Sequence, residues 1–272
     1  LSISAQDDTV CLGAITVVSS TVTGGSGIFL YQWQQSLNGS TGWANVPANG
    51  NSANYTVPTL VPQRYFYRLV LTDQANGCAD PVSAGTPVTV QNEPVLSASA
   101  NNPIVCINGS SLISTTITGG SGSFVYQWQT SPDGSSNWTN VSSGGTGPTY
   151  NVPTSVVGTF YFRIILTDTA NGCDDPSPVV VSIQVESQPT VSITATNTNL
   201  CIGGSSTLNS VVSNGSGFVT YQWQSSPDGS AWSNVASQGN GATYAVPTGT
   251  PHTTYYRIIV TDAANGCNDP VS

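Results

Sequence analysis

A single pattern of residues is written three times along this chain. The segments YQWQQSLNGSTGW (31–43), YQWQTSPDGSSNW (126–138) and YQWQSSPDGSAW (221–232) are near copies. Cys11, Cys106 and Cys201 lie about 95 residues apart, as do Tyr31, Tyr126 and Tyr221, a period that marks an array of like units. The match runs on through Trp43, Trp138 and Trp232, through YTVPT, YNVPT and YAVPT, through Arg68, Arg163 and Arg257, and through Asn-Gly-Cys at 76, 171 and 265. The third copy drops one residue inside its turn. The 272 residues therefore read as three domains, 1–93, 94–188 and an incomplete 189–272, each long enough to bury its own core.

Within the second copy, VLSASA (95–100), SLISTTIT (111–118), SFVYQWQT (123–130), NWTNV (137–141), TYNVP (149–153), TFYFRIILT (159–167) and PVVVSIQVE (178–186) alternate or run in β-forming residues. Gly, Pro, Asn and Asp separate them. Seven short strands in a domain of this size predict an antiparallel β-sandwich. In YQWQ, Tyr126 and Trp128 point to one face while Gln127 and Gln129 point to the other. In the sixth strand Phe162, Ile164 and Leu166 share the core side. Arg163, like Arg68 and Arg257, takes the opposite side, where it is expected to lie against an aromatic ring or a cross-strand glutamine.

Composition removes whole classes of function. Charged residues are 6% of the chain, against about 25% in an average domain. There is no lysine and no methionine, and a net charge of -9 comes with no basic cluster. Nucleic acid and anionic membrane surfaces need a dense line of Lys and Arg, so neither is expected as a partner. No apolar run approaches the roughly 18 residues of a membrane span, so membrane insertion is not expected either. No signal-like segment and no methionine precede Leu1, which reads as a mature product or a piece of something longer.

Six cysteines fall as two per repeat. The even count and a separation of about 67 residues in each copy predict one bridge inside each domain: Cys11–Cys78, Cys106–Cys173 and Cys201–Cys267. On the chain-entropy model each contributes about 4 kcal/mol. Such bonds persist outside the reducing cytosol, which places the protein in an extracellular, secreted or cell-surface setting. His252 is the only histidine, so no metal site of nitrogen and sulfur ligands is expected, and no cofactor.

The joints between repeats are short. TPVTVQN passes through Glu93 and Pro94 into VLSASA, and SIQVE passes through SQP into TVSITAT. Linkers this short that contain proline leave little slack. At about 3.3 Å per residue each domain is on the order of 40 Å long, giving a stiff rod on the order of 120 Å. The third repeat stops where the first continues with AGTPVTVQ, so it lacks its last strand. Two readings stand: the chain continues, or a neighbouring chain donates a strand.

The run from Cys-x-Gly-x-Ser through GGSGSFVYQWQTSPDGSSNW and Tyr-x-Val-Pro to YFRIILTDTANGC resembles the immunoglobulin-like and PKD-like repeats of giant secreted surface proteins of Bacteroidota, of which the SprB-type gliding adhesins are best known. The resemblance covers nearly the whole chain. It implies three immunoglobulin-like sandwiches exported by type IX secretion, and a mechanical or adhesive role in a surface filament linked to gliding motility. It also implies O-glycosylation at Thr9 and Thr169, which sit in Asp-Thr-apolar triplets.

Three further sets of residues carry possible chemistry. Trp43, Trp138 and Trp232 either stack on sugar rings or pack under their turns beside Trp33, Trp128 and Trp223. Asp73 and Asp80, Asp168 and Asp175, and Asp262 and Asp269 collect oxygen atoms of the kind calcium takes, but Asp and Asn before Gly are also ordinary turn formers. Catalysis has no base beside a nucleophile, since His252 sits in a TPHTT turn that the other copies lack, so no enzyme is expected. The expected function is a structural stalk of an adhesin or surface fibre, built of rigid spacer domains. Its partners are other repeats of the same chain, a donor strand for the third repeat, or like filaments side by side. The alternative is a tandem carbohydrate-binding protein.

Overall fold

Alternation of apolar and polar residues decides which face of each strand is buried, and the structure, a computed structural model that describes every residue except Asn76, follows it. In the first repeat eight strand segments form: β1 (Ser2–Ala5), β2 (Thr9–Cys11), β3 (Val17–Thr21), β4 (Phe29–Ser36), β5 (Ala44–Asn45), β6 (Asn54–Thr56), β7 (Arg64–Asp73) and β8 (Thr86–Gln91). They divide into a sheet ordered β1-β3-β6 and a sheet ordered β2-β8-β7-β4-β5. The opening strand changes sheets. β1 runs antiparallel to β3, with Ala5 opposite Val18; β2 then runs parallel to β8, with Thr9 opposite Thr89 and Cys11 opposite Gln91. Seven expected strands thus become eight segments.

The second repeat has the same two orders. Val95–Ala100, Leu112–Thr118 and Thr149–Asn151 make the small sheet, and Ile104–Cys106, Val179–Glu186, Gly158–Asp168, Phe124–Ser131 and Thr139–Asn140 make the large one. The third forms two three-stranded sheets, and among the described residues it has no counterpart of β2 or β8.

Each core is built on one tryptophan. Trp33, on β4, is completely buried, its ring 6.2 Å from Tyr55, which lies 5.6 Å from Tyr67. The indole Nε1 donates to the Ser52 carbonyl oxygen at 2.8 Å, so the buried ring leaves no polar atom unpaired. Trp128–Tyr150–Phe162 and Trp223–Tyr244–Tyr256 repeat the stack. Chain contacts gather into two compact units. One holds Leu1–Ser97 with Thr115–Gln127 and Ile164–Val179, and the other holds Ala98–Ser114 and Trp128–Arg163 with Val180–Ser272. Each unit contains one outer repeat and the end of the middle repeat that adjoins it.

Candidate functional site

The strand directions place the two cysteines of a repeat at opposite poles. Cys11 lies beside Gln91 at the end of β8, next to the start of β7, because Arg64 pairs with Thr89. Cys78 follows the far end of β7, whose last residue, Asp73, pairs with Phe29. A strand of 10 residues separates these ends by about 30 Å, whereas a disulfide needs Cα atoms within about 7 Å. The expected bridges Cys11–Cys78, Cys106–Cys173 and Cys201–Cys267 are therefore corrected. Cys11 is joined to Cys173 and Cys106 to Cys267, each with Cα atoms 4.8 Å apart, while Cys78 and Cys201 are free and exposed. Both bonds cross from one repeat to the next.

Each bridge sits in a polar seam that is built alike. In the first unit the Cys11 amide donates to the Asn171 carbonyl oxygen at 3.3 Å, and Asn171 Nδ2 donates to Asp7 Oδ2 at 2.9 Å and to the Ile15 carbonyl at 3.0 Å. The Asp174 amide donates to Glu93 Oε2 at 2.8 Å. In the second unit the Cys106 amide donates to the Asn265 carbonyl at 3.0 Å, and Asn265 Oδ1 accepts from the Ser110 amide at 2.6 Å. Gln188, which stands where the first unit has Glu93, accepts from the Asn268 amide at 2.8 Å and donates to the Gly266 carbonyl at 2.9 Å. Glycine is required in the Asn-Gly-Cys loop. Gly172 has φ +73, and a Cβ there would lie 2.1 Å from that of Ala14; Gly266 has φ +79, and its Cβ would lie 2.3 Å from the Gly109 Cα. Sequence reasoning found these loops and read them as turns, as calcium candidates and as one end of an intradomain bridge, not as the contact between repeats. The first repeat's loop begins at Asn76, which lies outside the described residues.

Five of the six calcium candidates accept hydrogen bonds from the protein, and the sixth, Asp269, is exposed. Asp73 accepts from the Ser26 amide at 2.8 Å, from the Ser26 hydroxyl and from the Ala75 amide, and Asp80 accepts from the Asp73 amide at 3.0 Å. Asp168 with Ser121 and Ala170, and Asp262 with Ser216 and Ala264, are the same knot, and Asp175 accepts from the Asp168 amide as Asp80 does from that of Asp73. Asp168 and Asp262 also lie against the bridges Cys11–Cys173 and Cys106–Cys267, where the sulfur atoms are already bonded to each other. The Ser26 hydroxyl and backbone amides hold the Asp73 carboxyl down to about 2. A depressed folded-state pKa stabilises above the unfolded value, so this contribution is complete above about pH 4 and is lost as pH falls towards about 2. Hydrogen exchange at the Ser26 amide is expected to accelerate across that window in the native protein and to show no such step in Asp73→Asn. A native profile without the step would count against the knot.

Trp43, Trp138 and Trp232 are half-buried, and each has one face covered. The guanidinium of Arg68 lies 4.4 Å from the Trp43 ring, Arg163 lies 4.6 Å from Trp138 and Arg257 lies 4.5 Å from Trp232. Each arginine Nε also donates to a cross-strand glutamine, Gln34 at 2.8 Å, Gln129 at 2.8 Å and Gln224 at 2.7 Å. The arginine thus takes both partners expected of it. Trp43 and Trp232 are not among the residues packed around Trp33 and Trp223 in the core, and all three rings lie under a guanidinium.

Thr9 and Thr169, 160 positions apart in sequence, line one polar cleft at the first joint together with Asp7, Asp8, Ser121, Ser123 and Asn171. Thr9 Oγ1 donates to Asp8 at 3.2 Å and Thr169 Oγ1 to the Ser123 carbonyl at 3.0 Å. His252 lies in an exposed turn with its Nδ1 2.9 Å from the Thr250 carbonyl oxygen. On the third repeat an open groove of about 410 Å³ runs past Leu200, Cys201, Leu208, Val246 and Tyr256.

The family model described as "Domain of unknown function (DUF8696)" matches residues 2–92, 96–187 and 190–272. The chain belongs to the DUF8696 family. No curated protein matches the sequence. The three DUF8696 domains are similar in fold to the three N-terminal domains of the highly immunogenic outer capsid protein (Hoc) of bacteriophage RB49, at 12% identity and a TM-score of 0.53, over 100% of this chain and 95% of that one. Domains FN1–FN3 of chicken CNTN1 match at 13% identity and a TM-score of 0.39 over 99% and 94% of the two chains, and domains A168–A170 of titin at 13% and 0.44 over 98% and 96%. DUF8696 domains are immunoglobulin-like β-sandwiches arrayed in tandem. No helix among the described residues is long and apolar enough to cross a membrane.

Proposed function

We propose that this chain is a spacer segment of an extracellular bacterial surface fibre or adhesin stalk, of the kind that Bacteroidota export by type IX secretion, in which locked joints transmit tension. The observation that carries this reading is the placement of each disulfide across a joint. A bridge inside a sandwich raises the stability of that domain alone, whereas a bridge between sandwiches limits the bending and separation of neighbours. Hydrogen bonds donated by Asn171 and accepted by Asn265, and close backbone packing at Gly172 and Gly266, add to the restraint. Nothing in this role needs catalysis or a cofactor. Other repeats of the same kind are the primary partners. The sparse charge lets neighbouring fibres approach without strong repulsion. O-glycans on Thr9 and Thr169 would fill the cleft at the first joint, and an intact mass above that of the polypeptide would report them.

Small-angle scattering with and without a reductant tests the spacer reading. In oxidised protein the data are expected to fit one extended conformer, and after reduction they are expected to need an ensemble of bent ones. Oxidised domains that already reorient independently would contradict it.

A further inference from the structure

The two unpaired cysteines stand on complementary halves of the joint that the chain forms twice internally. Cys201 occupies the position of Cys11 and Cys106. Leu200 beside it is 40% exposed, while the matching Val10 and Val105, which lie between the last strand of their own repeat and the asparagine of the next, are 0% exposed. Ile202 is 66% exposed where the matching Leu12 and Ile107 are half-buried. The loop after Cys201 nevertheless has the jointed shape. The Gly204 amide donates to the Cys201 carbonyl at 2.9 Å, as Gly109 does to Cys106 at 2.8 Å, and Thr248 Oγ1 donates to the Gly204 carbonyl at 2.6 Å, as Thr59 does to Ala14 at 2.6 Å. Cys78 occupies the position of Cys173 and Cys267. Its amide donates to the Ala75 carbonyl at 3.4 Å, as that of Cys173 does to Ala170 at 3.4 Å. Gly77 has φ +82 and open space where Gly172 meets Ala14 and Gly266 meets Gly109.

We propose that Cys78 and Cys201 complete further joints of the same kind: the Cys201 end of the third repeat receives the Asn-Gly-Cys loop of a further domain of the same family, and Cys78 is offered in the same way to a Cys11-type cysteine. A second copy of this chain supplies both halves. The inference rests on the joint geometry and does not depend on the spacer role. The bond forms by thiol–disulfide exchange with an oxidant that is itself a disulfide. One cysteine thiolate attacks the oxidant and expels a thiolate. The second cysteine, having lost its proton, attacks the cysteine sulfur of the mixed disulfide and expels the other thiolate. Two cysteine thiols are oxidised and one disulfide is reduced to two thiols. Partial desolvation and the charge of Asp73 push the Cys78 thiol up, so the exchange is expected to speed with rising pH.

The test mixes the full-length variants Cys78→Ser and Cys201→Ser in a glutathione redox buffer. Neither removes a bridge of the folded chain. The mixture is expected to form a Cys78–Cys201 heterodimer at least tenfold faster than either variant alone forms a dimer, and the native chain is expected to form a ladder of multimers. Homodimers that appear as fast as the heterodimer, or monomers only, would overturn the proposal. In fibres isolated from the producing cell, the peptide bonded to Cys201 identifies the source of the partner. The Cys78 peptide of this chain means a second copy, another Asn-Gly-Cys peptide means a neighbouring domain, and either supports the joint, whereas a Cys201–Cys201 peptide counts against it.

Discussion

Pulled from its two ends while oxidised, the chain is expected to stop extending at roughly 300 Å, against roughly 950 Å once its disulfides are reduced. The covalent path explains the difference. Tension entering at Cys11 passes through the bridge to Cys173, runs back along the middle domain to Cys106, and leaves through the second bridge at Cys267. Residues 1–11, 106–173 and 267–272 lie on that path, and residues 12–105 and 174–266 are bypassed. Most of the first and third sandwiches is shielded from load, the exceptions being Ser2–Ala5, Thr9–Cys11 and the residues after Cys267, which lie on the path. Single-molecule force spectroscopy, with and without reductant, reads this length directly. Equal contour lengths in the two conditions would show that the bridges do not lie across the joints. Bridges inside each domain would also shorten the oxidised chain, but they would leave three separate short-circuited loops whose lengths differ from this pattern.

Replacing Trp33 with alanine is expected to unfold the first domain well before the others. Its ring is completely buried, stacks on Tyr55 and gives up its one donor to the Ser52 carbonyl. Removing a buried tryptophan costs about 3–5 kcal/mol, a large part of the roughly 5–15 kcal/mol that holds a domain folded. For a domain of this size the midpoint of thermal unfolding should fall by about 15–30 °C. Calorimetry is expected to show an early transition separated from that of the other two domains. Trp43→Ala is the control. That ring is half-exposed and held mainly by the Arg68 guanidinium, so its loss should cost under about 2 kcal/mol. A Trp33 substitution no more damaging than the Trp43 one would contradict the assigned core.

Much of the sandwich was legible because it is local. Alternation in YQWQ predicts a buried Trp128 and outward glutamines, and strand parity in YFRIILT puts Arg163 on the face where it meets Trp138 and Gln129. The disulfides were not legible, for a physical reason. In a periodic array the interval from Cys11 to Cys78 recurs, and so does the interval from Cys11 to Cys173, with separations of 162 and 161 in the two bridges. Regular spacing cannot choose between them. The decisive feature is that Thr9–Cys11 is a strand of 3 residues laid parallel beside β8, too short to show a period, and it carries Cys11 to the pole opposite Cys78. The serine–aspartate knot was hidden in the same way, since Ser26 and Asp73 are 47 residues apart and meet only when the sheets form.

Disulfide mapping tests the cross-joint bridges most directly, and the four arginines make it decisive. Trypsin separates Cys11 on peptide 1–64, Cys78 and Cys106 on 69–163, Cys173 and Cys201 on 164–257, and Cys267 on 258–272. Digested without reduction after the free thiols are blocked, the protein should yield two linked species, 1–64 bonded to 164–257 and 69–163 bonded to 258–272. Recovery of all four peptides as one connected species, through Cys11–Cys78, Cys106–Cys173 and Cys201–Cys267, would contradict the account.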